Sequence, residues 1–136
     1  MTRFPTARHL ASWAGLCPGN HESAGKRYSG KTRKGNVWVR SALVQCAHTA
    51  GRMRNGYLAA QYRRMQARRG AKKAAMAVAH SILVTIWHML SRDQTYQDLG
   101  GDYFDQRDRQ ALEQRLVKRL KGLGYEVELR PVTRVA

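Results

Sequence analysis

The sequence predicts a mainly α-helical fold, a small helical domain with a long basic loop between its first two helices and a short C-terminal strand. Apolar residues recur at steps of three and four over three long segments, which is typical of amphipathic helices. Between residues 17 and 36 this spacing disappears, and Gly, Ser, Asn and Lys dominate instead. With 136 residues, the chain has the size of a single domain.

The first helix is predicted to be short. Phe4-Pro5-Thr6 is typical of a helix entry capped by Thr6, and Gly15 lies just past its expected end. Residues 17–36 have no apolar periodicity, so they are expected to form a loop or an irregular hairpin with little core of its own.

Three long helices should follow. The first begins after Asn36 and ends before Asn55-Gly56, the second ends at Gly70, and the third covers roughly residues 72–90. The third is apolar on two faces, so it should be central in a bundle. The apolar face of the first of these helices comprises Val39, Ala42, Leu43, Cys46, Ala47, Ala50 and Met53.

The C-terminal part differs in composition. Residues 93–108 are acidic and should connect residues 1–92, the helical domain, to an amphipathic helix that Gly124 closes. Tyr125, Val127 and Leu129 alternate with charged residues, which predicts a short strand. Residues 93–136 belong either to the same domain or to a C-terminal extension.

The charge balance indicates a polyanionic partner. Lys and Arg total 25 against 9 Asp and Glu, for a formal charge of +16 at pH 7. Nucleic acid is the commonest partner of such a chain. A membrane is the weaker alternative, because the cations are spread over loops and several helices. The apolar run of residues 74–90 carries His80, Ser81 and His88, which favours a buried helix over a membrane span.

The two cysteines, Cys17 and Cys46, form no CxxC pair, which favours a reducing compartment and half-buried or core thiols. Pro5 and a capped helix stand where a signal peptide would need an unbroken apolar core. A cytoplasmic protein is therefore expected.

Two groups of cations are candidate phosphate-binding residues. The glycines and hydroxyls of the loop let a sugar-phosphate backbone approach closely. An isolated basic run is more often a solvated surface, but the total charge and the second group favour nucleic acid. Trp38, Tyr28 and Tyr57 are expected to pack on the core rather than to stack on bases. The loop group is Lys26, Arg27, Lys31, Arg33, Lys34 and Arg40, and the second group is Arg63, Arg64, Arg68, Arg69, Lys72 and Lys73.

Ser23 lies between Glu22 and Lys26 in the segment NHESAGK. Most loop serines are turn or capping residues. A serine attacks a phosphate only when a base removes its proton and cations neutralise the phosphate, and either His21 or Glu22 could be that base. The histidines and cysteines have no zinc spacing, and the carboxylates do not converge, so no metal is expected in this chain.

Nearly the whole chain carries a specific pattern. It consists of the run FPTARHLASWAGLCPGNHESAGKRYSGKTRKGNVWVRSALVQCA, followed by YLAAQYRRMQARRGAKKAAMAVAHSILVTIWHML and by DLGGDYF. This pattern closely resembles the C-terminal transposase domain of the insertion-sequence one-ten family, the bridge-RNA-guided recombinases. The resemblance weakens only in the last thirty or so residues.

The resemblance implies that Ser23 attacks a DNA phosphate and forms a covalent phosphoserine during strand exchange. By the same resemblance, an N-terminal RuvC-like domain with an acidic tetrad would bind Mg²⁺, and the active site would form between protomers of a homo-oligomer on a structured guide RNA. That half is missing here, so Mg²⁺ is expected only in the missing domain and this chain holds no cofactor.

The sequence therefore predicts a bacterial DNA transposase domain, cytoplasmic and nucleoid-associated, which is a truncated copy or an excised domain and inactive on its own. In this interpretation Lys26 and Arg27 neutralise the phosphate, and Arg33, Lys34 and Arg40 position the strand. The alternatives are a non-catalytic module that binds RNA or DNA and a decayed product that folds poorly.

Overall fold

The computed structural model describes residues 3–19 and 21–130, and these are mainly helical, as predicted. The chain divides after Asp102 into two compact units. The first unit contains α1 (Ala7–Trp13), β1 (His21–Ser23), β2 (Lys26–Ser29), α2 (Val37–Arg52), α3 (Tyr57–Arg69) and α4 (Ala71–Arg92). The second unit contains α5 (Tyr103–Arg107) and α6 (Arg109–Gly122).

Side-chain caps start the first two helices. The Thr6 hydroxyl accepts a hydrogen bond from the His9 backbone N–H, which confirms the predicted start of α1. The Asn36 side-chain oxygen accepts one from the Val39 N–H at 3.0 Å and so starts α2. Such caps satisfy backbone donors that a first helical turn leaves unpaired.

Helix α4 is the central element of the first unit and packs against α1, α2 and α3. Val78 and Ala79 are fully buried there, and small side chains let neighbouring helices come close. The Trp87 indole N–H donates to the Phe4 carbonyl at 2.9 Å, which ties the N-terminal segment to α4. By length and composition α4 could also cross a bilayer, but it packs against three helices and buries Ala74, Ala75, Val78, Ala79 and Leu83.

The loop of residues 17–36 contains an antiparallel hairpin. Ser23 pairs with Lys26 across a two-residue turn, and both turn residues, Ala24 and Gly25, have positive φ, of 49° and 74°. Positive φ at both positions is the geometry of a type I′ turn, whose twist matches that of the strands it joins. The Gly19 N–H extends the pairing by donating to the Lys31 carbonyl at 3.1 Å.

Two glycines attach the base of the hairpin to the end of α1. A Cβ on Gly35 would lie 2.5 Å from the carbonyl carbon of Ala14, and a Cβ on Gly15 would lie 2.9 Å from the carbonyl oxygen of Arg33. The Asn36 N–H then donates to the Trp13 carbonyl at 3.2 Å. The backbones can approach this closely only because neither glycine has a side chain.

A distant carboxylate caps α3, whose own N-cap residue, Gly56, has no side chain. Asp98 accepts hydrogen bonds from the backbone N–H groups of Tyr57 at 3.0 Å and Gly100 at 2.6 Å. These bonds, the one from Tyr57 first, hold the pKa of Asp98 below its ordinary value. The residues after α4 are thereby fastened to the start of α3.

Two predictions are wrong. The described residues 125–130 contain no strand, because a strand needs a hydrogen-bonding partner and no described segment pairs with them. Cys46 is exposed, because the buried stripe of α2 is narrower than predicted and consists of Leu43, Ala47 and Ala50.

Replacing Gly35 by Ala should lower the free energy of unfolding by about 1–3 kcal/mol, because the new methyl group meets backbone that cannot move aside. Chemical denaturation would measure the loss. Gly122→Ala is the matched control, since a Cβ there meets nothing within 4 Å. Equal stability of the two variants would contradict the close contact.

Replacing Asp98 by Asn should lower the free energy of unfolding at neutral pH by about 0.5 kcal/mol, a modest value because the side chain is exposed and solvent screens its charge. The folded-state pKa is depressed, so this stabilisation is present above the unfolded pKa and is lost as the pH falls through the folded pKa. Denaturation from about pH 6 to about pH 3 should therefore show a weaker acid dependence in the variant than in the original chain. Asp93→Asn is the control, and equal pH dependence of the two variants would refute the capping role.

Candidate nucleic-acid interface

A long stretch of the first unit contains no acidic residue. All nine Asp and Glu residues lie outside positions 23–92, a range that runs from the hairpin tip to the end of α4. The cations of this range therefore have no carboxylate of the same range to neutralise them. Such a surface attracts polyanions.

Ser23 is exposed at the tip of the hairpin, as the last residue of β1. Its partner across the turn is Lys26, the first residue of β2, and directly paired residues project from the same face of a hairpin. Glu22 precedes Ser23 in the strand and therefore projects from the opposite face. The turn keeps this arrangement although Ala24 adopts a left-handed conformation, which costs roughly 1 kcal/mol for a residue other than glycine.

The remaining loop cations lie along the hairpin and at its base. Lys26, Lys31, Arg33 and Lys34 are exposed, whereas the side chain of Arg27 lies outside the described part of the structure. Arg40 is half-buried in α2 and donates to the Thr32 hydroxyl at 3.1 Å. The bond fixes the guanidinium in place. Because the Thr32 hydroxyl is neutral, the positive charge of Arg40 stays uncompensated.

The second group of cations lies where α3 ends and α4 begins. Arg68, Arg69, Lys72 and Lys73 are exposed around Gly70, whose φ is 82°. The two arginines earlier in α3, Arg63 and Arg64, already interact with other groups of the chain. Arg63 donates to the carbonyl of Arg54 at 2.9 Å, and Arg64 is half-buried with a partner of its own.

An open groove of about 830 Å³ connects the two groups. Lys34 reaches it from the hairpin base, Arg40 from α2 and Lys72 from α4. Val44 and Met76 supply apolar lining. The groove thus joins cations that are far apart in sequence. Its lining does not include the other predicted cations whose side chains the structure describes, which are Lys26, Lys31, Arg33, Arg63, Arg64, Arg68, Arg69 and Lys73.

The sequence did not single out Ser41 and His48, which also line the groove. Ser41 is exposed, and the His48 Nδ1 lies 3.1 Å from the hydroxyl oxygen of the buried Tyr62. The only signal in the sequence was the position of His48 on the polar face of α2. The groove itself depends on how α2 and α4 pack.

The predicted packing of two aromatic residues on the core is wrong. Trp38 is 85% exposed and Tyr28 is 64% exposed, whereas Tyr57 is half-buried. Trp38 lies roughly opposite the buried stripe of α2, and Tyr28 lies in β2 of the hairpin. Helical phase, measured from Leu43 and Ala47, would have revealed the exposure of Trp38.

Metal ligands are not gathered in the described residues. Among residues 3–19 and 21–130, no group of three or more His, Cys, Asp or Glu side chains could hold a metal ion. The carboxylates present therefore do not fit a two-metal nuclease site, which requires several converging oxygen ligands.

Comparison with known proteins indicates one family. The sequence profile of the Transposase IS116/IS110/IS902 family matches residues 1–63. The probable family 20 transposase of Pseudomonas aeruginosa is 30% identical over 99 residues, which cover 70% of this chain and 29% of that protein. The transposase for insertion sequence element IS1111A of Coxiella burnetii is 29% identical over 99 residues, which cover 70% of this chain and 27% of that protein. No solved structure matches the chain.

The chain spans less than a third of the length of these curated relatives. The part that matches the family profile contains α1, the hairpin with Ser23 at its tip, α2 and the first half of α3. On these matches, the chain belongs to the IS116/IS110/IS902 family of insertion-sequence transposases.

Proposed function

We propose that this chain is a DNA-binding transposase domain in which Ser23 supplies the nucleophile for strand exchange. The observation that carries the proposal is the position of Ser23, exposed at a fixed turn, paired with Lys26 and at the edge of a stretch without acidic residues. A nucleophile of this kind must be accessible to a bulky, polyanionic substrate. The hairpin tip is exposed and carries the cation Lys26, so it suits such a substrate.

The reaction is a phosphoryl transfer. The Ser23 Oγ forms a bond to phosphorus while the bond from phosphorus to one deoxyribose oxygen breaks, so one phosphodiester replaces another. The serine proton passes to a base, and the leaving oxygen takes up a proton. Attack by a second DNA hydroxyl on the phosphoserine then releases the serine, and no oxidant or energy source is needed.

The surroundings of Ser23 suggest how the charges are managed. Lys26 would neutralise the phosphate, because it shares a face of the hairpin with Ser23. Position 27 pairs with Glu22, so strand alternation does not support the same role for Arg27. Glu22 is poorly placed as the base, since it projects from the other face. His21 stays a candidate, and its side chain lies outside the described part of the structure.

The rest of the machinery would come from outside this chain. We assign the Mg²⁺ ligands to an N-terminal nuclease domain, because the described residues do not gather enough metal ligands. A structured guide RNA and a second protomer would complete the site. The proposal places the reaction in the bacterial cytoplasm, at the nucleoid.

Within a complete transposase that carries this domain, Ser23→Ala should abolish the covalent protein–DNA adduct while DNA binding stays within about twofold. The measurement is denaturing electrophoresis with a labelled DNA substrate that accumulates the adduct, together with a gel-shift assay. Ser29→Ala removes a hydroxyl from the same hairpin and is the control. An adduct that persists in Ser23→Ala would exclude Ser23 as the nucleophile.

The second candidate function is a non-catalytic module that binds RNA or DNA. The groove favours it, because Lys34, Arg40 and Lys72 gather there independently of Ser23. Such a module would bind nucleic acid but would form no covalent adduct with DNA. The adduct assay therefore separates the two functions.

Both functions predict strong salt dependence. Binding should weaken on the order of a thousandfold between low and moderate ionic strength if six or more phosphates are contacted, because each contact releases counterions.

Arg40→Gln should lower the slope of log K against log salt by roughly 0.7–0.9, whereas Arg115→Gln in α6 should leave it unchanged. Fluorescence anisotropy titrations at several salt concentrations would measure both slopes. Salt-independent binding would contradict either function.

A further inference from the structure

We propose that the groove between the hairpin base, α2 and α4 binds an unpaired stretch of nucleic acid, with Trp38 stacking on one of its bases. The inference rests on the nucleic-acid partner of the proposed function and adds the strandedness of the ligand. It does not depend on Ser23.

The charges of the groove suit a sugar-phosphate backbone. Lys34, Arg40 and Lys72 come from three separate elements, and none of the described residues that line the groove is acidic. The bond to Thr32 holds the Arg40 guanidinium in place, so little side-chain freedom is lost when it meets a phosphate. Lys34 and Lys72 are exposed and can follow neighbouring phosphates.

The apolar lining distinguishes an unpaired strand from a duplex. Val37, Val44 and Met76 border the same groove as the cations. A duplex keeps its bases stacked inside and presents phosphates to a protein surface, so it would leave these side chains uncovered. An unpaired strand can turn a base toward them and bury its face. A volume of about 830 Å³ is within the size range of sites that enclose small ligands.

Trp38 supplies the second feature of a single-strand site. It follows Val37, which lines the groove, and at 85% exposure its indole contributes little to the core. Proteins that bind single strands combine a cationic groove with aromatic side chains on which bases stack, because every base has an aromatic face. Trp38 is not one of the residues that line the groove, so stacking on its exposed indole would extend the site from Val37 along the first turn of α2.

The test is direct binding by the 136-residue chain, measured by fluorescence anisotropy. The probes are a labelled thymidine oligonucleotide, a uridine oligonucleotide of the same length and a DNA duplex of that length. At least one single strand should bind more tightly than the duplex, and the comparison of the two single strands shows whether the groove prefers DNA or RNA. Equal or tighter binding of the duplex, or no binding of either single strand, would overturn the proposal.

A pair of variants locates the binding. Ser41 is exposed and lines the groove from α2, and both Glu and Gln are compatible with a helix. Ser41→Glu should weaken single-strand binding by roughly tenfold or more because it places a carboxylate among phosphates, while Ser41→Gln, of nearly the same shape, should bind at least several times more tightly than Ser41→Glu. Equal binding of the two variants would show that the strand lies elsewhere.

A second pair tests stacking. Trp38→Ala should weaken single-strand binding by roughly fivefold to a hundredfold, with little effect on the melting temperature because the indole is exposed. Tyr125→Ala, an exposed aromatic residue outside the first unit, is the control and should change neither. If Trp38→Ala binds like the original chain, stacking is excluded. Adduct formation by Ser23 in a complete transposase is read separately, so failure of the groove and failure of the nucleophile are distinguishable.

Discussion

The contact between the backbones of Gly15 and Gly35 is the constraint on which the arrangement of the first unit depends. It fastens the base of the hairpin to the end of α1, and the next residue, Asn36, both bonds to the Trp13 carbonyl and caps α2. One close approach thus sets where the hairpin ends and where α2 begins. Since Lys34 and Gly35 line the groove beside Arg40, the same contact also shapes the candidate binding surface.

Helix α4 supplies the other wall of that surface. Its buried alanines, among them Ala74 and Ala75, let α2 and α3 pack closely, and Lys72 at its N-terminal end lines the groove together with Lys34 of the hairpin base. Ala75 both packs in the core and lines the groove. Packing and charge placement are therefore determined by the same helix, and the lack of acidic residues from position 23 to position 92 preserves the positive potential. The proposed chemistry at the hairpin tip and the proposed binding in the groove use different residues of this surface.

Local signals in the sequence were sufficient for the elements themselves. Thr6 and Asn36 start helices through bonds to residues three positions away, and Gly70 separates α3 from α4, so their effects are visible within a few residues. Ser23 and the loop cations could also be named as candidates, because an exposed basic segment has a recognisable composition. The hairpin turn at Ala24 was less evident, since alanine seldom adopts a left-handed conformation.

The sequence by itself determined the mainly helical class, the helix ends and the excess of positive charge, because these follow from short-range bonds and from composition. Only the tertiary structure decided that Asp98 caps α3 from 41 residues away, that Trp38 is exposed, and that Lys34 and Lys72 share a groove. The predicted strand at Tyr125 failed for the same reason, since alternation marks a face but cannot supply a pairing partner. Contacts between distant segments depend on how whole helices pack, and no local pattern records that.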